Sequence, residues 1–117
     1  MEKLEQFYES VGSHAAEVTG RLGGDPALVL RFLMKFQEDD SLHQLCAALD
    51  SGDTESAFRM AHTLKGLCAT LGLQRLFERA SAMTELLRGG AIEPAKAALP
   101  DLQAEYERVH TLIDGLR

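Results

Sequence analysis

The chain has 117 residues, 45% of them hydrophobic and 6% aromatic, with no Trp, three Pro and a net charge of −6. That length suits one domain, which buries roughly 65% of the surface its unfolded chain exposes, and the abundance of Leu, Ala and Glu favours helix. Acidic and basic residues are interspersed, so no basic stripe exists to neutralise a nucleic-acid backbone or hold an anionic membrane, and the composition argues against both partners.

No apolar run approaches the ~20 residues of a membrane-spanning helix, and the opening MEKLEQFYES is too polar for a signal peptide, so a cytoplasmic protein is expected. Cys46 and Cys68 are too few and too far apart for a disulfide framework or a CxxC metal site; each sits among apolar helical residues and is expected to be a buried free thiol.

In chain order, Leu4, Phe7, Tyr8 and Val11 predict an amphipathic turn or more, and His14 to Leu22 a second short helix, so that residues 1–22 cap one end of a larger helical body. Gly23-Gly24, Ser51-Gly52-Asp53, Gly72 and Gly89-Gly90 then cut the chain into four longer helices. The first has Asp25 as N-cap and Pro26 at its first position, and carries Leu28, Phe32, Leu33, Phe36, Leu42, Leu45 and Leu49 towards Asp50 as one helix of roughly 25 residues. The second starts from Asp53 and ends at Leu71, where Gly72 can take a left-handed conformation. The third covers 74–88, with Leu76, Ala80, Met83 and Leu87 on one face. The fourth starts near Glu93-Pro94 and carries Ala95, Leu99, Leu102, Tyr106, Val109, Ile113 and Leu116, with Pro100 expected to kink it or delay its start. Short connections make sequential helices antiparallel. The expected fold is therefore all-α: one domain over 1–117, with an antiparallel up-down-up-down four-helix bundle over 25–116 behind one or two short N-terminal helices.

The second long helix carries the chemistry. On a 100°-per-residue wheel, Ala57, Met60, Ala61, Leu64, Leu67, Cys68 and Leu71 lie within roughly 60° of Leu64, whereas His62 lies about 160° away and points outwards. Phe58, one turn before His62, and Lys65, Gly66 and Ala69 after it share that outer face, with Arg59 beside them. Gly inside a helix costs about 1 kcal/mol relative to Ala, so Gly66 calls for a compensating use. Clearance is one: without a Cβ there, a protein or a tetrahedral phosphoryl group can approach the imidazole. Lys65 can balance the charge of such a group, and a neutral imidazole is a nucleophile near pH 7 that needs no general base. Phosphoryl transfer is dominated by positioning and charge neutralisation, so these three residues can form the whole local apparatus, with Phe58, Arg59 and Ala69 as docking surface.

The segment Ala61-His-Thr-Leu-Lys-Gly66, continued by Leu71-Gly72, resembles the histidine-containing phosphotransfer (HPt) domains of multistep two-component phosphorelays, and the likeness extends from about Gly23 to Leu116. The resemblance implies that His62 receives a phosphoryl group from the aspartate of a receiver domain and passes it to another receiver. It implies that Lys65 stabilises the phosphate and Gly66 gives the receiver room. Leu67 departs from the family, in which small residues are common at that position, and is expected to narrow the choice of receiver. The chain has no P-loop or glycine-rich nucleotide signature, so neither ATP-dependent autophosphorylation nor a bound cofactor is expected; the Mg²⁺ for transfer would sit in the receiver. A monomer is expected, with receiver domains of response regulators or hybrid kinases as partners.

His14, His43 and His110 lack the following Lys-Gly pair and read as structural or solvated residues. Glu107 and His110 have the Glu-x-x-His spacing of di-iron bundles, but Glu107 lies about 130° from its helix's apolar stripe, where no bundle ligand points. The rival reading is a helical binding module of the same fold in which His62 is not phosphorylated. A docking patch alone does not account for His, Lys and Gly together.

Overall fold

Several helix boundaries fall where a side chain or a glycine can satisfy the backbone groups that a helix end leaves open. The computed structural model describes residues 2–117, which form α1 (Glu2–Ser10), α2 (Ala15–Arg21), α3 (Pro26–Phe36), α4 (Ser41–Ser51), α5 (Thr54–Leu71), α6 (Gln74–Arg88) and α7 (Ile92–Asp114), with no strand among the described residues. Asp25 caps α3 by accepting from the Ala27 N–H at 2.9 Å, with Pro26 next, and Asp53 caps α5 by accepting from the Ser56 N–H at 3.1 Å. The Ser56 hydroxyl, together with that N–H, holds the Asp53 carboxyl below its usual range. Helices α4 to α7 pack as sequence neighbours, and α4 also meets α7, which closes the antiparallel four-helix bundle. Its core includes Leu45, Leu49, Leu64, Leu76, Met83, Leu102 and Ile113, all within 1% of full burial.

The single helix expected over 25–50 is two, α3 and α4, separated by residues 37–40. The apolar spacing runs through this break, but the Asp39-Asp40-Ser41 sequence offers the backbone a better arrangement. The Asp39 carboxylate accepts from the Ser41 N–H at 3.0 Å, and Asp40 accepts from the Gln44 side chain at 2.8 Å. Phe32, counted in that apolar stripe, is 39% exposed. Pro100 neither delays nor divides α7, which begins at Ile92 and continues beyond it. Pro100 and Lys96 are both exposed, so water can reach the carbonyl that the missing N–H leaves free. Cys68 is buried as expected, but Cys46 is only half-buried, with its Sγ accepting from Gln103 Nε2 at 3.4 Å. Glu105, outside the expected stripe, is buried and pairs at 3.0 Å with Arg108, which also donates to the Ser10 carbonyl and so ties α1 to α7.

The two N-terminal helices lock onto the α5–α6 turn. Tyr8 Oη donates to the Leu71 carbonyl at 2.8 Å in a buried bond, and the Arg75 N–H donates to the Val11 carbonyl at 3.2 Å. Gly72 sits beneath them with φ +70°; a Cβ there would strike Val18 Cγ2 and press on Ser13 Oγ and Tyr8 Cε1. Gly52 also has a left-handed φ, +72°, but a Cβ on it would meet nothing within 4 Å. Ala at Gly52 should therefore cost only the backbone strain, about 1–2 kcal/mol. Gly72→Ala should cost about 1–3 kcal/mol more from overpacking. Urea denaturation of the two variants checks this, and equal losses would refute the steric role of Gly72.

On α7, His110 packs against Tyr106 and Phe36, with ring centroids at 4.3 and 5.8 Å. Its Nε2 is buried without a hydrogen-bond partner among the described residues. Burial lowers its pKa from the ordinary 6.5, with the Asp114 carboxylate opposing the shift. Between those two values the unfolded chain binds more proton than the folded one. The stability this group contributes is therefore complete above pH 6.5 and is lost as pH falls through the lowered value. Denaturant midpoints from about pH 7.5 to about pH 5.5 should fall in the parent chain and fall less in His110→Phe. Parallel curves would remove His110 as the cause.

Candidate functional site

The outer face of α5 is set by what its inner face buries. Ala57, Ala61, Leu64, Cys68 and Leu71 are buried, and Met60 and Leu67 are half-buried at the edges of that stripe. Residue 62 is thereby turned to solvent, and His62 is exposed. Among the described residues no side chain or carbonyl hydrogen-bonds its ring. Lys65, one turn on, is half-buried and has no ion-pair partner among the described residues, so its ammonium is free to meet an incoming anion. Gly66 is exposed, and a Cβ there would meet nothing within 4 Å. The fold itself therefore gives no reason for glycine at 66, in contrast to Gly72 at the end of the same helix.

The remaining sequence-derived positions lie on or beside this face. Phe58 is half-buried and nearly parallel to the His62 ring, with 12° between planes and centroids 6.0 Å apart. Arg59 is exposed and donates to Ser56 Oγ at 3.0 Å. Ala69 is exposed, and Arg21 of α2 reaches its carbonyl at 3.1 Å and that of Thr70 at 3.4 Å. The N-terminal helices thus border the last turn of α5, and the His62 ring stays open. Leu67, turned away from His62, lines a groove of about 590 Å³ between α3 and α5 together with Leu22, Phe32, Phe36 and Leu71.

Arg88 is a neighbour of this site that sequence reasoning does not find. It is the last residue of α6, and its guanidinium carbon lies 5.0 Å from the centre of the Phe58 ring. No local pattern links positions 58 and 88; only the antiparallel pairing of α5 with α6 brings them together. The other histidines are placed elsewhere: His14 and His43 are exposed, and His110 belongs to the aromatic cluster on α7. Glu107 is exposed.

Fold and site together define a class of protein, an antiparallel helical bundle that presents one open imidazole followed by lysine and glycine on the outside of a core helix. The family model for the Hpt domain matches residues 27–112, and the chain belongs to that family. Hpt domains are histidine phosphotransfer modules of two-component systems, interact with receiver domains and have no kinase activity of their own. No curated protein and no solved structure gave a match. Among the described residues no helix is long and apolar enough to cross a membrane.

Proposed function

We propose that the chain acts as one module of a multistep phosphorelay, in which His62 takes a phosphoryl group from a receiver aspartyl phosphate and hands it to another receiver. The observation that carries this reading is Gly66, a helix-interior glycine beside an exposed histidine that no contact among the described residues requires. Its cost of about 1 kcal/mol buys only an open approach from outside.

The neutral His62 ring attacks the acyl phosphate through its unprotonated nitrogen. The new N–P bond forms as the P–O bond to the aspartate breaks, and the electron pair leaves with the carboxylate. The other ring nitrogen keeps its proton, so the product is a phosphoimidazolium and no base is consumed. Lys65 balances the negative oxygens as the group arrives and while it stays. Phe58, Arg59 and Ala69 meet the receiver around the imidazole, and Leu67 narrows which receivers fit. Mg²⁺ for the transfer belongs to the receiver's carboxylates, and the site works in the cytoplasm on a monomeric chain.

Incubation with a phosphorylated receiver should give an acid-labile, base-stable label on the parent chain. His62→Gln should abolish the label while keeping far-UV helicity and melting behaviour, since an exposed side chain contributes little to the core. A folded His62→Gln chain that still takes label would overturn the site. No label from any receiver of the source organism would favour a binding module that does not carry phosphoryl groups. Lys65→Ala should slow transfer or shorten the phosphohistidine lifetime by roughly tenfold, the worth of one charge-assisted hydrogen bond. Unchanged rate and lifetime would remove its role.

A further inference from the structure

His62 is one end of a row of three side chains. Its imidazole lies nearly parallel to Phe58 at 6.0 Å between centroids, and Arg88 lies over Phe58 at 5.0 Å. The separation of the rings falls within the range of offset-stacked aromatic pairs, and that of Arg88 within cation–π range. Arg88 is itself oriented: its Nε donates to Glu85 at 3.0 Å. Phe58 is seated as well, sharing the rim of a shallow groove with Thr54, Leu87 and Arg88. A positive residue at the end of α6 suits the helix dipole, but that alone does not direct its guanidinium over a ring on α5.

We propose that Arg88 is a positioning residue for His62, holding the Phe58 ring in one orientation so that the imidazole stacked on it is held in turn. The proposal rests on the reading of His62 as the phosphoryl acceptor. An exposed histidine on a helix has at least two open side-chain rotamers, and in-line attack on phosphorus suits only one direction of its lone pair. The outer face of α5 offers the ring no hydrogen bond among the described residues, so Phe58 is the contact that can choose between rotamers. Arg88 restricts Phe58 from the neighbouring helix. Phe58 thus gains a role that docking surface alone does not give it. Because Arg88 and Glu85 are both more than half exposed, their ion pair adds little to stability, and removing Arg88 should leave the fold intact.

Two measurements on the full chain test this, neither of which needs a receiver. In NMR spectra, stacking on Phe58 should shift the His62 ring protons upfield of those of exposed His14 and His43. Arg88→Ala and Phe58→Leu should each move them back, and Arg88→Lys, which keeps a cation, should do so only in part. The rate at which phosphoramidate phosphorylates His62 should fall about threefold to tenfold in Arg88→Ala, the worth of one aromatic pair, with part recovered in Arg88→Lys. His62 resonances that stay in place in Arg88→Ala would overturn the proposal, even if the rate fell, because Arg88 would then act through its charge alone. So would an effect of Phe58→Leu that Arg88→Ala does not share. A parent chain that takes no phosphoryl group, but whose His62 shifts depend on Arg88, would refute the acceptor reading while upholding the ring's placement.

Discussion

The phase of α5 about its own axis is the constraint from which the site arises. Ala57, Ala61, Leu64, Cys68 and Leu71 bury one stripe against the bundle, and a rotation of α5 by one residue would draw exposed side chains such as Thr63 or His62 inwards. Burying an imidazole or a hydroxyl without a partner costs kilocalories, whereas burying Leu64 gains roughly 2 kcal/mol, so the phase is heavily favoured. The two alanines let neighbouring helices approach closely, and the ends are pinned by the Asp53 cap and by Gly72. His62 therefore stands on a rigid element, where a side chain is held more accurately than on a loop.

Two glycines on and beside this helix divide its burdens. Gly72 answers an internal demand: a positive φ and the packing of Val18, Ser13 and Tyr8 leave no space for a Cβ. Gly66 has an ordinary helical φ and open space around it, so a Cβ would fit as far as the described residues are concerned. The N-terminal helices reinforce the first role and leave the second alone. Tyr8 and Arg21 engage the carbonyls of Leu71, Ala69 and Thr70, which α5 leaves open in its last turn, and stop short of His62.

Much of the fold and site is legible in the sequence because it is local. Asp25-Pro26, Asp53 and Gly72 announce helix ends through their own chemistry, and the apolar stripe of α5 places His62 outside without reference to any neighbour. The break between α3 and α4 is equally local, in Asp39-Asp40-Ser41, but apolar periodicity continues through it and masks the capping signal. Pro100 shows tertiary packing overriding a local rule: the burial of Ala95 on one side and Leu102 on the other keeps both halves of α7 helical. Arg88 over Phe58, and Arg108 bridging Glu105 to Ser10, join residues far apart in the chain and depend on how helices pair, which no window of sequence reveals.

A bundle of this kind supplies few groups to the reaction, and the energetics of phosphoryl transfer explain why few suffice. Both the acyl phosphate and the phosphoimidazole are reactive, so the step between them needs alignment and charge balance more than bond activation. In the proposed reading, alignment comes from a helix fixed in phase and a ring with one stacked face, and charge balance from a lysine that no carboxylate among the described residues neutralises. Every further side chain on the approach would obstruct the receiver. On that proposed reading, what is missing at position 66 counts as much as what is present at 62 and 65.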